Sequence, residues 1–292
     1  MTSARSAAAD EYFGEHHVYE PHRAGLPPIA PYYRELWRRR GFAFELARTQ
    51  MHAANTDTVF GQAWLVLNPL LLSLVYLLLQ SILSGKSPNG DGFATLTSGL
   101  FLYYFITGAM QSGTTSVTAG GRLILNTPFP KMLLTVSTTY LAFRRYLPTL
   151  LVYLVIHIIT GQRFGLHLLW MLPILAMATM MGLGLANIFA TLQVYFRDTA
   201  SFLPYFVRIW LYLSPVLWVV PQGAIPNHLK LLLQYSPFNP VFGVLASQGQ
   251  VLIEHRSPDL TYMLYGLAWS VGLLVVGSLL MMSREREFAV RL

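Results

Sequence analysis

Long uncharged stretches constrain this chain more than any other feature. Several apolar runs of about 20 residues carry no acidic or basic side chain, enough for a helix to cross a hydrocarbon core of about 30 Å. Six runs read as spans: residues 63–83, 98–118, one within 133–160, one within 166–196, 201–220 and 260–282, the third holding Arg144 and Arg145 and the fifth Arg208. The second is less greasy and rich in Gly, Ser and Thr, which suits close helix packing, and Gly182 and Gly184 offer the same in the fourth. Composition agrees, since 54% of the 292 residues are hydrophobic and only 11% are charged, against about a quarter charged in soluble domains. Cysteine is absent, which excludes disulfides, thiolate metal sites and cysteine nucleophiles.

Charge sets the expected orientation. With the N-terminus inside, the cytoplasmic segments hold Arg5, Arg23, Arg34, Arg38, Arg39, Arg40, Arg48, Arg122, Lys131, Arg197, Arg284, Arg286 and Arg291. The outside loops hold Lys86, Arg163, Lys230 and Arg256, so the split is 13 against 4 and both termini are expected inside. Residues 1–30 show no apolar signal-peptide core. The net charge of +7 is therefore read as topogenic arginine facing the inner leaflet of the plasma membrane, and nucleic acid is not an expected partner.

Two segments outside the spans carry their own pattern. Residues 32–52 form an amphipathic stripe: Arg34, Arg38, Gly41, Glu45, Arg48 and His52 on one side, Tyr33, Leu36, Trp37, Phe44, Ala47 and Met51 on the other. Such a helix lies on a membrane surface or packs on a partner. Between spans five and six, two short apolar helices (about 227–235 and 240–253) flank Ser236-Pro237-Phe238-Asn239-Pro240. They are too short to span, so they read as an external re-entrant hairpin at about 221–253, with a folded loop as the alternative. The chain thus divides into a tail (1–31), an interface helix and linker (32–62), an all-α integral membrane domain (63–282) and a short tail (283–292).

All thirteen carboxylates fall outside the expected spans. A proton- or sodium-driven carrier needs an acidic group at depth, and a membrane hydrolase needs carboxylates for metal or base roles, so both readings weaken. His157 reads as a lone hydrogen-bonded histidine. The run Gln80-Ser81-Ile82-Leu83-Ser84-Gly85-Lys86-Ser87 imitates a phosphate loop but lacks its first glycine. No cofactor is expected in this chain; ATP and magnesium would be bound by a partner. Arg144 and Arg145 sit about 20 Å of helix beyond Lys131, either snorkelling to headgroups or facing an anion. Arg208 invites the same two readings. Tyr104, Tyr146, Trp210 and Tyr212 lie in or at the edges of spans, where aromatics serve an interface belt or a sugar-sliding surface.

Four local motifs, in order, carry a resemblance. They are Gly61-Gln62-Ala63-Trp64 with Pro69; Gly121-Arg122 through Asn126-Thr127-Pro128-Phe129-Pro130-Lys131; Tyr195-Phe196-Arg197-Asp198 followed by Trp210 and Ser214-Pro215; and Gln234-Tyr235-Ser236-Pro237-Phe238-Asn239-Pro240. Together they make residues about 30–285 resemble the permease of ABC-2 type polysaccharide exporters, the O-antigen, teichoic-acid and capsule family. The family's basic cluster before Gly61 is replaced by Thr49-Gln50-Met51-His52-Ala53-Ala54-Asn55-Thr56-Asp57.

The resemblance implies a homodimer joined to two ATP-binding-cassette subunits, exporting a polyprenyl-pyrophosphate-linked glycan and performing no catalysis itself. In that frame Arg122, Asn126, Pro128, Phe129, Pro130, Lys131, Arg197 and Asp198 are expected to couple to the ATPase, although Arg197-Asp198 also reads as a plain salt-bridged loop. Arg38, Arg39, Arg40, Arg144 and Arg145 are expected to meet the pyrophosphate headgroup. Tyr104, Tyr146, Trp210 and Tyr212 would line the channel, and Tyr235, Phe238 and Phe242 would form an external gate. No metal site is expected. The competing readings are a drug or lipid exporter of the same type, a membrane enzyme of lipid-linked sugars, and a membrane subunit without transport.

Overall fold

A computed structural model describes residues 26–53, 60–84, 90–159, 161, 165–217 and 227–291. Among these residues the chain is helical and contains no strand. The helices are α1 (Ile29–Arg38), α2 (Arg40–Ala53), α3 (Trp64–Ser84), α4 (Gly90–Thr114), α5 (Ser116–Ala119), α6 (Gly121–Asn126), α7 (Met132–Ile159), α8 (Met171–Tyr195), α9 (Thr199–Leu213), α10 (Asn227–Gln234), α11 (Phe242–Leu252) and α12 (Leu260–Arg291). Four segments are long and apolar enough to cross a membrane: Gly92–Thr114, Met132–Ile159, Leu166–Tyr195 and Leu260–Arg291. The described apolar part of α3, Trp64–Leu79, is shorter, and α9 has 15 residues.

Three boundaries differ from the sequence reading, each for a local reason. The second run was expected at 98–118, but its helix begins at Gly90 and stops at Thr114. There the Ser- and Thr-rich sequence turns its hydroxyls onto the backbone (Ser116 Oγ donates to the Gly113 carbonyl at 2.7 Å) and the chain breaks into α5 and α6. The fifth run was expected to reach 220. Its helix ends at Leu213 because Pro215 drives Ser214 into an extended conformation (ψ 151°); residues 218–220 lie outside the described set. The amphipathic helix, expected to be continuous from 32 to 52, breaks at Arg39 (φ −95°, ψ 12°).

Helix α8 is central, packing against α4 on one side and α12 on the other, while α7 closes over α4. These contacts are backbone-close. A Cβ on Gly184 of α8 would lie 2.5 Å from the Leu273 carbonyl carbon of α12, and one on Gly113 of α4 would overlap the Ala186 methyl of α8. Apolar burial gives little drive for association in lipid, so small residues that let backbones touch do the specifying. A polar trio reinforces the centre: the Thr135 hydroxyl donates to Asn187 Oδ1 at 2.5 Å, and Asn187 Nδ2 to Ser278 Oγ at 3.4 Å.

Helix α11 is buried almost throughout against α12 and α4, whereas the described face of α10 is exposed, Leu231 being 64% accessible. Residues 221–226, the expected start of the hairpin, lie outside the described set, as do residues 1–25, 54–59 and 85–89; the phosphate-loop imitation therefore falls partly outside it.

Candidate functional site

The expected coupling loop is held by one carboxylate from α12. Glu285 Oε1 accepts the Lys131 backbone N–H at 2.8 Å, and Glu285 Oε2 accepts the Tyr32 hydroxyl at 2.5 Å. A single side chain thus ties α1, the 122–131 segment and α12 together. Arg39 Nη1 adds a bond to the Pro128 carbonyl at 2.8 Å. Phe129 is buried, with Phe42 at 5.4 Å between ring centroids and the Lys131 ammonium 4.4 Å above its ring. Burial pushes the Lys131 ammonium below its ordinary range, with the Glu285 carboxylate opposing that shift. Burial, then the neighbouring Glu285, raises the Tyr32 phenol well above its ordinary value. Phe129 and Pro130 therefore serve as the inward anchor of the segment, and Arg122, Asn126 and Pro128 are its exposed part.

Arg197 and Asp198 are exposed at the same end of the molecule. Gln193 shapes their turn: its Nε2 donates to the Arg197 carbonyl at 3.0 Å, and its Oε1 accepts the Ala200 N–H at 2.8 Å. Arg197 shares a cavity of about 220 Å³ with Thr118, Gln193 and Arg291, so the second expected contact adjoins the bend after α4. Tyr195, beside it, donates to Glu287 at 2.5 Å and lies under the Arg291 guanidinium at 4.2 Å.

The three consecutive arginines do not converge on one point. Arg38 pairs with Glu35 at 2.7 Å, Arg39 bonds Glu35 and the Pro128 carbonyl, and Arg40 lies 4.5 Å over the Trp37 ring. Hydrogen bonding from Arg38, then Arg39, holds the Glu35 carboxyl below its usual range. The apolar stripe of this helix also divides: Ala43 and Ala47 are fully buried, while Trp37 is 68% exposed. The ring of Phe44, itself 40% exposed, sits 4.7 Å from Tyr140 on α7.

Arg145 turns into a cavity of about 260 Å³ between α3, α4 and α7, lined also by Asn68, Tyr104, Ser112 and Tyr146. Two of the four expected channel aromatics thus meet there. Tyr146 is buried and stacks on Phe105 at 5.2 Å. Trp210 is buried elsewhere, edge-on to Tyr103 at 6.2 Å, and its indole donates to Asn239 Oδ1 at 2.8 Å. Tyr212 is 49% exposed.

At the far end, Tyr235 and Phe238 are 56% and 74% exposed, but Phe242 is 1% exposed and packs edge-on against Tyr262 at 5.6 Å. Asn239 closes the turn between α10 and α11, donating to the Leu213 carbonyl at 3.1 Å, and the Trp269 indole donates to the Pro237 carbonyl at 2.7 Å. Just after α11, Arg256 bonds Glu254 and Asp259 at 2.5 and 2.8 Å and holds the Asp259 carboxyl below its usual range. His157 is not alone: its ring lies 6.0 Å from His255, which lies 5.6 Å from His167.

Sequence reasoning passed over Glu285, Tyr32 and Asn239 as site residues. The first two come together across 253 residues of chain, a proximity without a local pattern. Among the described residues no group of three or more His, Cys, Asp or Glu is placed to hold a metal ion.

No protein-family model matches the chain. It is 27% identical over 257 residues to the O-antigen export system permease protein RfbA of Myxococcus xanthus, covering 88% of this chain and 97% of that relative. Two RfbA permeases of the same description from Klebsiella pneumoniae are 26% and 25% identical over 203 residues, 68% of this chain and 77% of each. The resemblance read from the four motifs is borne out. Those relatives are described as permease subunits of an export system, and the four membrane-length helices here accord with a multi-pass membrane protein.

Proposed function

We propose that this chain is the transmembrane subunit of an ATP-driven exporter that moves a lipid-linked polysaccharide of the O-antigen type out of the cytoplasm. The carrying observation is the alignment to a permease of that description over 97% of the relative's length. The chain spans the plasma membrane six times, α3 and α9 completing the four longer spans, with both termini inside and the α10–α11 hairpin re-entering from outside. Two copies pair, and two separate ATPase subunits dock on the face formed by Arg122, Asn126, Pro128, Arg197 and Asp198. Phe129, Pro130 and Lys131 brace that face from behind.

ATP-driven movement of the docked subunit pulls on the 122–131 segment. Through Glu285 and Tyr32 the pull reaches α12 and the interface helix together, so subunit motion becomes helix motion without a flexible joint. Arg38 and Arg40 meet the anionic headgroup at the inner surface, the half-exposed Tyr212 and the edge of Tyr104 offer rings to the sliding glycan with Tyr146 and Trp210 packed behind them, and Tyr235 and Phe238, supported by Phe242, bound the exit.

The test is ATP hydrolysis by the chain co-purified with the ATPase encoded beside it, with and without lipid-linked glycan. Stable association and glycan-stimulated hydrolysis are expected. A complex indifferent to glycan would move the substrate to a drug or simple lipid, and failure to bind any ATPase would sink the reading.

A further inference from the structure

We propose that the groove between α3, α4 and α7 binds the phosphate group of a membrane lipid, with Arg145 as its counter-charge. Burial and charge come first. Arg145 lines a cavity of about 260 Å³ whose lining contains no Asp or Glu, and its Nε is buried without a hydrogen-bond partner among the described residues. A guanidinium at membrane depth is costly unless an anion or water meets it. No described lining residue is a carboxylate, so the counter-charge is sought outside the described residues, and a lipid phosphate supplies it.

Depth selects the kind of anion. The interface helix touches α7 at Tyr140 through Phe44, and Arg145 lies five residues further on, about 7.5 Å along the axis. With α2 resting in the headgroup layer, the guanidinium sits just beneath it, within reach of a phosphate drawn slightly inward. The walls match a lipid better than a free ion. Asn68, Ser112 and Tyr104 supply neutral donors for phosphate oxygens, while Leu65 and Leu72 continue the cavity in hydrocarbon. Leu72 is 38% exposed, so one wall of the cavity reaches the surface of α3. Gly108 is the open part of the wall: a Cβ built there meets nothing within 4 Å.

The lipid is a phosphodiester or phosphomonoester with apolar chains, supplied by either the bulk membrane or a polyprenyl phosphate carrier. This inference rests on the proposed bilayer placement of α3, α4 and α7, and on the export reading only for which lipid is served.

The full chain, purified in mild detergent, is titrated with phosphatidylglycerol and followed by native mass spectrometry. The wild type is expected to retain one phosphatidylglycerol in preference to diacylglycerol, which lacks the phosphate. Arg145→Gln should weaken retention about tenfold or more, the scale of a lost charge-assisted bond. Gly108→Leu should do the same by filling the cavity, where a Cβ meets nothing within 4 Å, and its monodispersity in detergent is compared with that of the wild type. Arg48→Gln, which removes an exposed cation on α2, should leave retention unchanged. Undecaprenyl phosphate is then added as competitor: displacement of phosphatidylglycerol assigns the site to the carrier, and no displacement assigns it to bulk lipid. Equal retention by wild type and Gly108→Leu, or equal retention of diacylglycerol, would overturn the proposal. A phosphate site that survives these tests in a chain that binds no ATPase would overturn the export reading alone.

Discussion

Helices α3 and α4 are sequence neighbours of similar length, 21 and 25 residues, with opposite surroundings. Helix α3 is dominated by leucine, and Leu74, Val75, Leu78 and Ile82 are 46%, 57%, 48% and 77% exposed. Helix α4 is interleaved with Gly, Ser and Thr and has a mean hydropathy of 1.3, against 1.9 for α12, yet 72% of its apolar window is buried against 22% for α12. In water the greasier helix would sit inside. In a bilayer the solvent is itself hydrocarbon, so leucine gains little by leaving it, and close backbone contact decides which helix is central. Thr107 and Thr114 of α4 are fully buried because their hydroxyls bond the Tyr103 and Met110 carbonyls at 2.9 and 2.7 Å. The polar groups thus enter the core already satisfied.

The sharpest way to break this contrast is at Gly113, where α4 meets Ala186 of α8. Gly113→Leu should separate the central helices and cost about 3 kcal/mol or more, seen as loss of monodisperse protein in detergent; a variant as stable as wild type would mean that contact is not close. Gly108→Ala on the same helix should instead gain about 0.5–1 kcal/mol, because nothing opposes the added methyl and glycine is entropically unfavourable within a helix. Matching losses at both glycines would contradict the packing described here.

Glu285→Ala should cost about 1–3 kcal/mol, since it strips the acceptor from the Tyr32 hydroxyl and the Lys131 N–H. Its signature is local: hydrogen exchange should accelerate in Ile29–Arg38, with α4 unaffected. On the outward face, Val75→Ala should change chain stability by less than about 0.5 kcal/mol. If that substitution weakens a dimer measured by its mass in detergent, the second copy covers this face of α3.

Much of the architecture was legible because apolar runs and their Ser, Gly and Pro boundaries are local signals. Each of the six runs contains a helix where described, shorter than the run at Thr114 and Leu213, and the Ser236-Pro237-Phe238 break falls between α10 and α11 as read. The misjudged ends at Thr114 and Leu213 come from hydropathy averaging, which passes over the hydroxyl bonding of Ser116 and the constraint of Pro215 on Ser214. Among candidate site residues, Arg122, Asn126, Pro128, Arg197 and Asp198 are exposed. The inward turn of Phe129, the dispersal of Arg38, Arg39 and Arg40, and the burial of Phe242 were not legible, because each depends on a partner far along the chain.

Long, charge-poor apolar runs are a property of the chain in any conformation, and they point to a helical, multi-pass membrane protein before any packing is known. Which leucines face outward, which arginine turns into a cavity and which carboxylate gathers three elements depend on pairs such as Tyr32 and Glu285 or Gly113 and Ala186. Tertiary structure alone decides these, because a hydrogen bond or close backbone contact acts over a few ångströms of space, whatever the distance along the sequence.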